Sequence, residues 1–290
     1  MRHESVGATE CQIWWAAASD TRRTSLSACG AANQALAGAY AVSHLRAAAS
    51  VVFGAYWLSG KHRRTGSIGI VGAGIIARNI IDMFIADDWH IASVVVHDLD
   101  GIAAQAMATH VARRGGMVAS TLDDALICDV VVFATTARAP YVVPPQQFHH
   151  VHQIVLNVSL RDQAPEIILQ CTNIVNDVDH CLKVSTSPHL AEERVGHRDF
   201  IHGTLAELIL GEVMLRSDRL RIFSPFAVGI LDLAVGLDIF DQASARKLVR
   251  EMPGFLPRPH ADRPQPDVLT DKIRLATKPS PIRQPEPLTG

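Results

Sequence analysis

Cysteine is scarce and unpatterned in this chain. Cys11, Cys29, Cys128, Cys171 and Cys181 are odd in number and include no Cys-x-x-Cys pair. That excludes a disulfide scaffold and a four-cysteine zinc site, and it fits a reducing compartment. Charge is also in short supply: charged residues make up 19% of the 290, with 27 Lys+Arg against 29 Asp+Glu. There is no basic excess with which to hold nucleic acid or an acidic membrane surface. Long apolar runs are missing too. No stretch reaches the roughly 20 uninterrupted apolar residues of a membrane span, and the opening MRHESVGATECQIWW has no signal-peptide core. These absences leave a cytoplasmic globular protein as the expectation. What the chain does have is apolar material in short pieces, 48% of its residues, enough for a sizeable core.

Those pieces change period along the chain. From Ala35 to Leu58 the sequence is Ala-rich and reads as a helix broken near Ser43 and His44, with Ser43 as N-cap of a second stretch, Leu45 to Trp57. Between Thr65 and Asp179, β-branched runs alternate with helical stretches. The runs are 67–71, 92–97, 129–133, 153–156 and 173–175; the helices are Ile75–Ile85, Gly101–Ala112 and one opened by Thr121 and Asp124 in capping-box style. Runs apolar on successive residues suit strands buried on both faces, so the pattern predicts a doubly wound, Rossmann-type parallel α/β sheet with flanking helices. Further helices are expected near Leu190, over Leu205–Val213 and over Ile230–Val249. Nine of the fifteen prolines fall in 252–290, so 251–290 reads as a disordered or surface-draped tail.

Ile68-Gly-Ile-Val-Gly72-Ala-Gly74-Ile75-Ile76-Ala77 closes a strand and opens a helix. In that setting a GxGxxA pattern binds the pyrophosphate of a dinucleotide. Gly72 permits the tight turn, Gly74 lets phosphate approach, the N–H groups around Ile75 and Ile76 face it, and Ala77 keeps helix and sheet close. Asp98 ends the second strand, where a carboxylate accepts the adenine ribose hydroxyls and favours NAD over NADP. Thr135, Thr136 and Ala137 follow the next central strand, either lining the nicotinamide side or forming an ordinary turn. Asp162 lies just beyond another strand and suits the N-cap of a helix over Ala164–Gln170, the reading its position alone favours, or a general base. Arg46 is either a solvated helix arginine or a carboxylate anchor. His149, His150 and His152 read as solvated loop residues rather than metal ligands, and no metal is expected. His180, His189, His197 and His202, with Arg198 and Asp199, serve either a substrate pocket or ordinary core and surface roles.

Several motifs read together resemble the ornithine cyclodeaminase/μ-crystallin family over about residues 43–250. They are Ser43-His-Leu-Arg-Ala-Ala-Ala-Ser50, Gly72-Ala-Gly-Ile-Ile-Ala-Arg78, Leu156-Asn-Val-Ser-Leu-Arg-Asp162, Asp177-Val-Asp-His-Cys181, Gly196-His-Arg-Asp-Phe200 and 222–232. The last three are similar to the branch that forms 2,3-diaminopropionate for siderophores. The resemblance implies an NAD-dependent dehydrogenase that cleaves N-(2-amino-2-carboxyethyl)-L-glutamate to 2-oxoglutarate and 2,3-diaminopropionate. It makes Asp162 the catalytic aspartate and Arg46 an arginine that meets substrate carboxylate or cofactor phosphate, and it implies a homodimer. Alternatives of the same descent are a catalytically impaired NAD-binding remnant and a related cyclodeaminase or ketimine reductase. The chain departs from the family in carrying Ala47 where a Thr is usual. Residues 1–40 match nothing in the family, Arg22 and Arg23 included, and read as a disordered remnant. The substrate and dimerisation domain, with its further arginine and lysine, is therefore expected to be incomplete.

Overall fold

The computed structural model describes residues 31–119, 121–144, 148, 152–226 and 229–248. Most of the expected N-terminal remnant, the Pro-rich tail, and His149 and His150 lie outside the described residues. Two compact units divide the chain, residues 1–241 and 242–290, and the sheet lies wholly in the first.

Helix α1 (Ala31–Leu58) leads into β1 (Arg64–Val71), α2 (Ile75–Ala86), β2 (His90–His97), α3 (Gly101–His110) and β3 (Gly116–Val118). There follow α4 (Leu122–Leu126), β4 (Val130–Phe133), β5 (Ile154–Asn157), α5 (Pro165–Ile168), β6 (Thr172–Val175), α6 (Val178–Cys181) and α7 (Ser187–Val195). The order closes with β7 (Ile201–Thr204), α8 (Leu205–Leu210), β8 (Arg221–Ser224) and α9 (Gly229–Ala245).

Among the described residues, eight strands form one sheet in the order β3-β2-β1-β4-β5-β8-β6-β7, and every pairing is parallel. The expected doubly wound α/β sheet is therefore present. Alternate residues of each central strand serve opposite faces. Ile68, Ile70, Val130, Val132 and Leu156 pack with α1, α2 and α3, whereas Val71, Val131, Phe133 and Val155 pack with α4 and α5. Burial on both faces is what made these strands read as unbroken apolar runs.

The differences from expectation lie at junctions. The break at Ser43 does not occur: α1 is one helix of 28 residues. A Ser or His inside a helix costs only a few tenths of a kcal/mol, less than is gained by burying Val51, Val52, Ala55 and Leu58 without solvent exposure. The helix over Ala164–Gln170 shrinks to α5, whose N-cap is Ala164, so Asp162 caps nothing. The helix over Leu205–Val213 stops at Leu210, where Gly211 turns left-handed at φ +77°. Strands β3, β7 and β8 were not foreseen, and β8 takes a slot between β5 and β6. The Thr121 capping box is present, with Asp124 returning the bond to the Thr121 N–H.

Close packing on the glycine-rich β1 gives a direct test. A Cβ on Gly69 would lie 2.0 Å from the Ala125 carbonyl of α4, backbone that cannot swing aside. Gly236 of α9 has open space around it. Gly69→Ala is expected to lower stability by about 1–3 kcal/mol, and Gly236→Ala to leave it unchanged or raise it by up to about 1 kcal/mol. Urea unfolding midpoints check both, and equal midpoints would contradict the packing.

Candidate functional site

The sheet divides its connections between β1 and β4, and loops leaving the carboxyl ends of these strands open a crevice there. Gly72 holds φ +93°, and a Cβ on it would stand 2.6 Å from the Ala134 carbonyl. The loop therefore needs glycine at that position. Helix α2 begins beyond it with Gly74 as N-cap, no side-chain cap and no acid in its first turn. Its leading N–H groups, those of Ile75 and Ile76 among them, are thus left for an anion from outside. Nothing lies within 4 Å of the position a Cβ on Gly74 would occupy, and Ala77 is buried against the sheet. This geometry fits a dinucleotide pyrophosphate.

Asp98 stands at the end of β2 and is tied to the same loop. Its Oδ2 accepts the Ala73 N–H at 2.6 Å, and its Oδ1 accepts the Asp100 N–H at 2.8 Å. The carboxylate is braced where a ribose would come, and Leu99 and Ile102 beside it are almost fully exposed.

Across the crevice, Thr135 joins the two halves. Its Cγ2 is 3.1 Å from where a Gly72 Cβ would be, and its Oγ1 donates to Asp162 Oδ1 at 2.6 Å. It also accepts the Ala137 N–H at 3.3 Å. Thr136 is exposed and Ala137 half-buried on the same turn. Asp162 is completely buried, and its Oδ2 accepts the Ser159 hydroxyl. Burial pushes this carboxyl up to about 6, and the hydroxyls of Thr135 and Tyr141 restrain the rise. It is accordingly mostly ionised at neutral pH yet within reach of a proton, the condition a general base needs.

The loop that carries Asp162 is held from both sides. Tyr141 and Val142 donate their N–H groups to the Asp162 carbonyl at 3.1 and 2.9 Å. On the far side Ser187 N–H donates to Leu160 O at 2.7 Å, Ser187 Oγ accepts the Gln163 N–H, and Arg161 Nη2 donates to Val184 O at 2.9 Å. Val184 and Ser185 hold φ +49° and +55°, a costly conformation for a β-branched residue that persists because these bonds impose it.

Arg46 is 7% exposed on α1. The helix runs antiparallel to the strands: Leu58 O accepts Arg221 Nη1 at the start of β8, while Ser50 Oγ accepts Asn176 Nδ2 at 3.1 Å just beyond the end of β6. Arg46 is one turn, about 6 Å, further toward the carboxyl edge. The structure therefore brings Gly72, Gly74, Asp98, Thr135 and Asp162 to one crevice edge, with Arg46 on α1 at about the height of that edge.

The histidines of 180–202 take structural positions. His180 pairs with Asp177, His189 accepts the Ser185 N–H, His197 lies beside Asp199, and His202 Nδ1 accepts the Asn173 N–H. Arg198 bridges Asp179 and Glu192. Among the described residues no cluster of His, Cys, Asp or Glu could hold a metal ion. Ser159 and Tyr141 were not foreseen. Ser159 sits in the quoted motif three residues before Asp162, the spacing that lets it turn back on the acid, whereas nothing in the pattern around Tyr141 marks it.

No protein-family model and no curated protein matches the chain. Among solved structures it is similar to an archaeal alanine dehydrogenase dimer with bound NAD, at TM-score 0.65 and 20% identity, covering 73% of this chain and 67% of that one. A Thermococcus litoralis Δ1-pyrroline-2-carboxylate reductase, in complex with NADH and L-proline, superposes at TM-score 0.63 and 20% identity over 73% and 68%. A probable ornithine cyclodeaminase from Bordetella pertussis does so at 0.60 and 19% over 73% and 69%. The chain has the fold of these proteins and spans about two thirds of their length.

The buried acid carries a stability signature. Its folded-state pKa of about 6 exceeds the ordinary 3.8. The folded protein therefore holds a proton that the unfolded chain releases, and this group's contribution falls as pH rises from about 4 to 6. Above that range the ionised carboxyl costs on the order of 2–3 kcal/mol. Asp162→Asn is expected to be more stable than the parent at pH 7, with the gap closing toward pH 4. Urea unfolding across that range measures it, and a gap independent of pH would contradict the assignment.

Proposed function

We propose that the chain binds NAD and acts as an oxidoreductase on the CH–NH bond of an amino acid. The observation that carries this reading is Thr135, which contacts the glycine turn on one side and donates to a buried, high-pKa carboxyl on the other. An uncapped helix N-terminus suits the pyrophosphate, and the acid at 98 suits a ribose without a 2′-phosphate. The cofactors named with two of the similar structures, NAD and NADH, agree with it.

The roles follow from placement. NAD, when bound, supplies the acceptor for the hydride that leaves the substrate carbon. Arg46 anchors a substrate carboxylate, Thr136 and Ala137 border the nicotinamide side, and Thr135 with Ser159 fixes the orientation of Asp162. Asp162 takes a proton from the water that adds to the substrate imine, and the C–N bond then breaks. The substrate we assign is N-(2-amino-2-carboxyethyl)-L-glutamate, on the strength of the motifs at 177–181, 196–200 and 222–232. With NAD and water it would yield 2-oxoglutarate, 2,3-diaminopropionate, NADH and a proton. On this reading 41–250 is the cofactor-binding region, flanked by a remnant at 1–40 and a tail at 251–290, and the working form is a homodimer. One of the similar structures is an alanine dehydrogenase dimer.

Two measurements test it. NADH fluorescence is expected to rise on binding and to do so far less with Gly72→Ala. Turnover of the assigned substrate, followed by NADH formation, is expected to fall about 10²–10⁴-fold in Asp162→Asn. Turnover of proline, ornithine or alanine instead would move the substrate to a cyclodeaminase or reductase class. Cofactor binding without turnover of any of these would leave only a nucleotide-binding protein.

A further inference from the structure

The Asp162 carboxyl is held by two hydroxyls, Thr135 Oγ1 on Oδ1 and Ser159 Oγ on Oδ2. A third stands beside it. The Tyr141 hydroxyl is shut away from solvent and meets no partner in hydrogen-bonding geometry. A buried hydroxyl left without a partner costs on the order of 1–3 kcal/mol, so its placement calls for a reason. Its own backbone supplies one half of that reason. The Tyr141 N–H and the next N–H both bind the Asp162 carbonyl, and Ala164 N–H returns to Val142 O at 2.9 Å. This short ladder holds the tyrosine's main chain against the acid's, while the surrounding packing keeps its hydroxyl out of solvent.

The other half is electrostatic. Tyr141 and Asp162 lie close enough to shift one another's titration: burial and the nearby Asp162 charge drive the phenol far above its usual value, and the phenol in turn holds the carboxyl down. Tyr141 therefore stays protonated through the working range and is a donor whenever Asp162 is ionised. A hydroxyl both donates and accepts. Once Asp162 has taken a proton, the same oxygen can accept from the new carboxyl O–H, a change that needs only rotation of the phenol hydrogen.

We propose that Tyr141 is a positioning residue for Asp162, a third hydroxyl that steadies the ionised carboxylate and accepts from its protonated form, so that the buried acid cycles between both states without losing its place. The proposal rests on Asp162 being the base of the reaction described above. Loss of the phenol oxygen removes a donor to the charged form, so in Tyr141→Phe the acid limb of the kcat/KM profile is expected to move alkaline by about one pH unit. Well above that limb, kcat should return to near the parent value. Replacing Tyr141 with 3-fluorotyrosine, a stronger donor of nearly the same shape, should move the limb the other way, and this variant keeps the test available if the Phe variant folds poorly.

A carbon-13 titration of the Asp162 carboxyl in the unliganded protein follows the same shifts without turnover, so it tests the proposal even where the assigned substrate fails. Carboxyl midpoints that respond in opposite directions to the two substitutions support it. Midpoints that stay where they are, or a Tyr141→Phe enzyme whose kcat falls equally at every pH, overturn it.

Discussion

The hydrogen bond from Thr135 to Asp162 is the contact on which the proposed chemistry depends. It ties the loop after β4 to the loop after the neighbouring β5, on one side of the crevice between β1 and β4. Both loops rise from strand ends that are themselves cross-linked: Ala134 N–H donates to Val71 O at 2.9 Å, and the Val158 and Ser159 N–H groups share Phe133 O at 3.0 Å. The carboxyl edges of β1, β4 and β5 thus form a continuous rim. One threonine on that rim touches the glycine turn with its methyl group and the acid with its hydroxyl. On the proposed function, one side chain would position both cofactor and base, and an error in the turn would propagate to the acid.

Both edges of the sheet carry costly groups: at the amino edge Lys61 and Asp88 hold positive φ, and Thr172 Oγ1 and Arg221 Nε are buried without partners. There, too, Asp87 accepts both Arg63 Nε at 2.9 Å and Trp89 Nε1 at 3.0 Å, and Trp89 meets Phe84 edge-on at 4.9 Å. Asp87 and Trp89 are buried and paired, which favours one rigid arrangement at that corner. At the carboxyl edge a buried carboxyl is raised out of its ordinary range, the Tyr141 hydroxyl and Asn157 Oδ1 are buried without partners, and Val184 is held at positive φ. Each of these costs stability. Costs of this kind at either edge are offset elsewhere in the fold. Here the offset is the double-sided core of β1, β4 and β5, whose central residues are almost free of solvent contact.

Much of this was legible in the residues because local signals and tertiary packing agreed. The β-branched runs of β1, β2 and β4 are strands since both their faces are covered, and Gly72 marks a turn that only glycine fits. The failures share a cause. The turn signal at Ser43 was overruled by burial of the turns after it, and the capping chemistry of Asp162 was overruled by two hydroxyls that claim its carboxyl. β8 could not be seen because Arg221–Ser224 is only four residues long and lies between strands that precede it in sequence. Its place is decided by contacts with β5 and β6, and no local pattern encodes those. Tyr141 escaped for the same reason: its meaning depends on Asp162, 21 residues further on.

Helix α1 shows how one local choice, continuity, becomes a functional one. Gly54 lets it sit on β8, since a Cβ there would lie 2.3 Å from the Phe223 ring. That contact anchors the middle of the helix, Leu58 anchors its end, and Ser50 fixes its rotation through Asn176. A helix broken at Ser43 would leave Arg46 in a new first turn, where frayed N–H groups and the positive end of the dipole disfavour a buried cation. In the continuous helix the turns on either side are formed, and Arg46 is held at the height of the strand ends. The residue types that looked like a terminus, Ser43 and His44, are instead small and polar positions within a rigid rod. The rod sets the height of Arg46 because the sheet on which it packs also carries the acid.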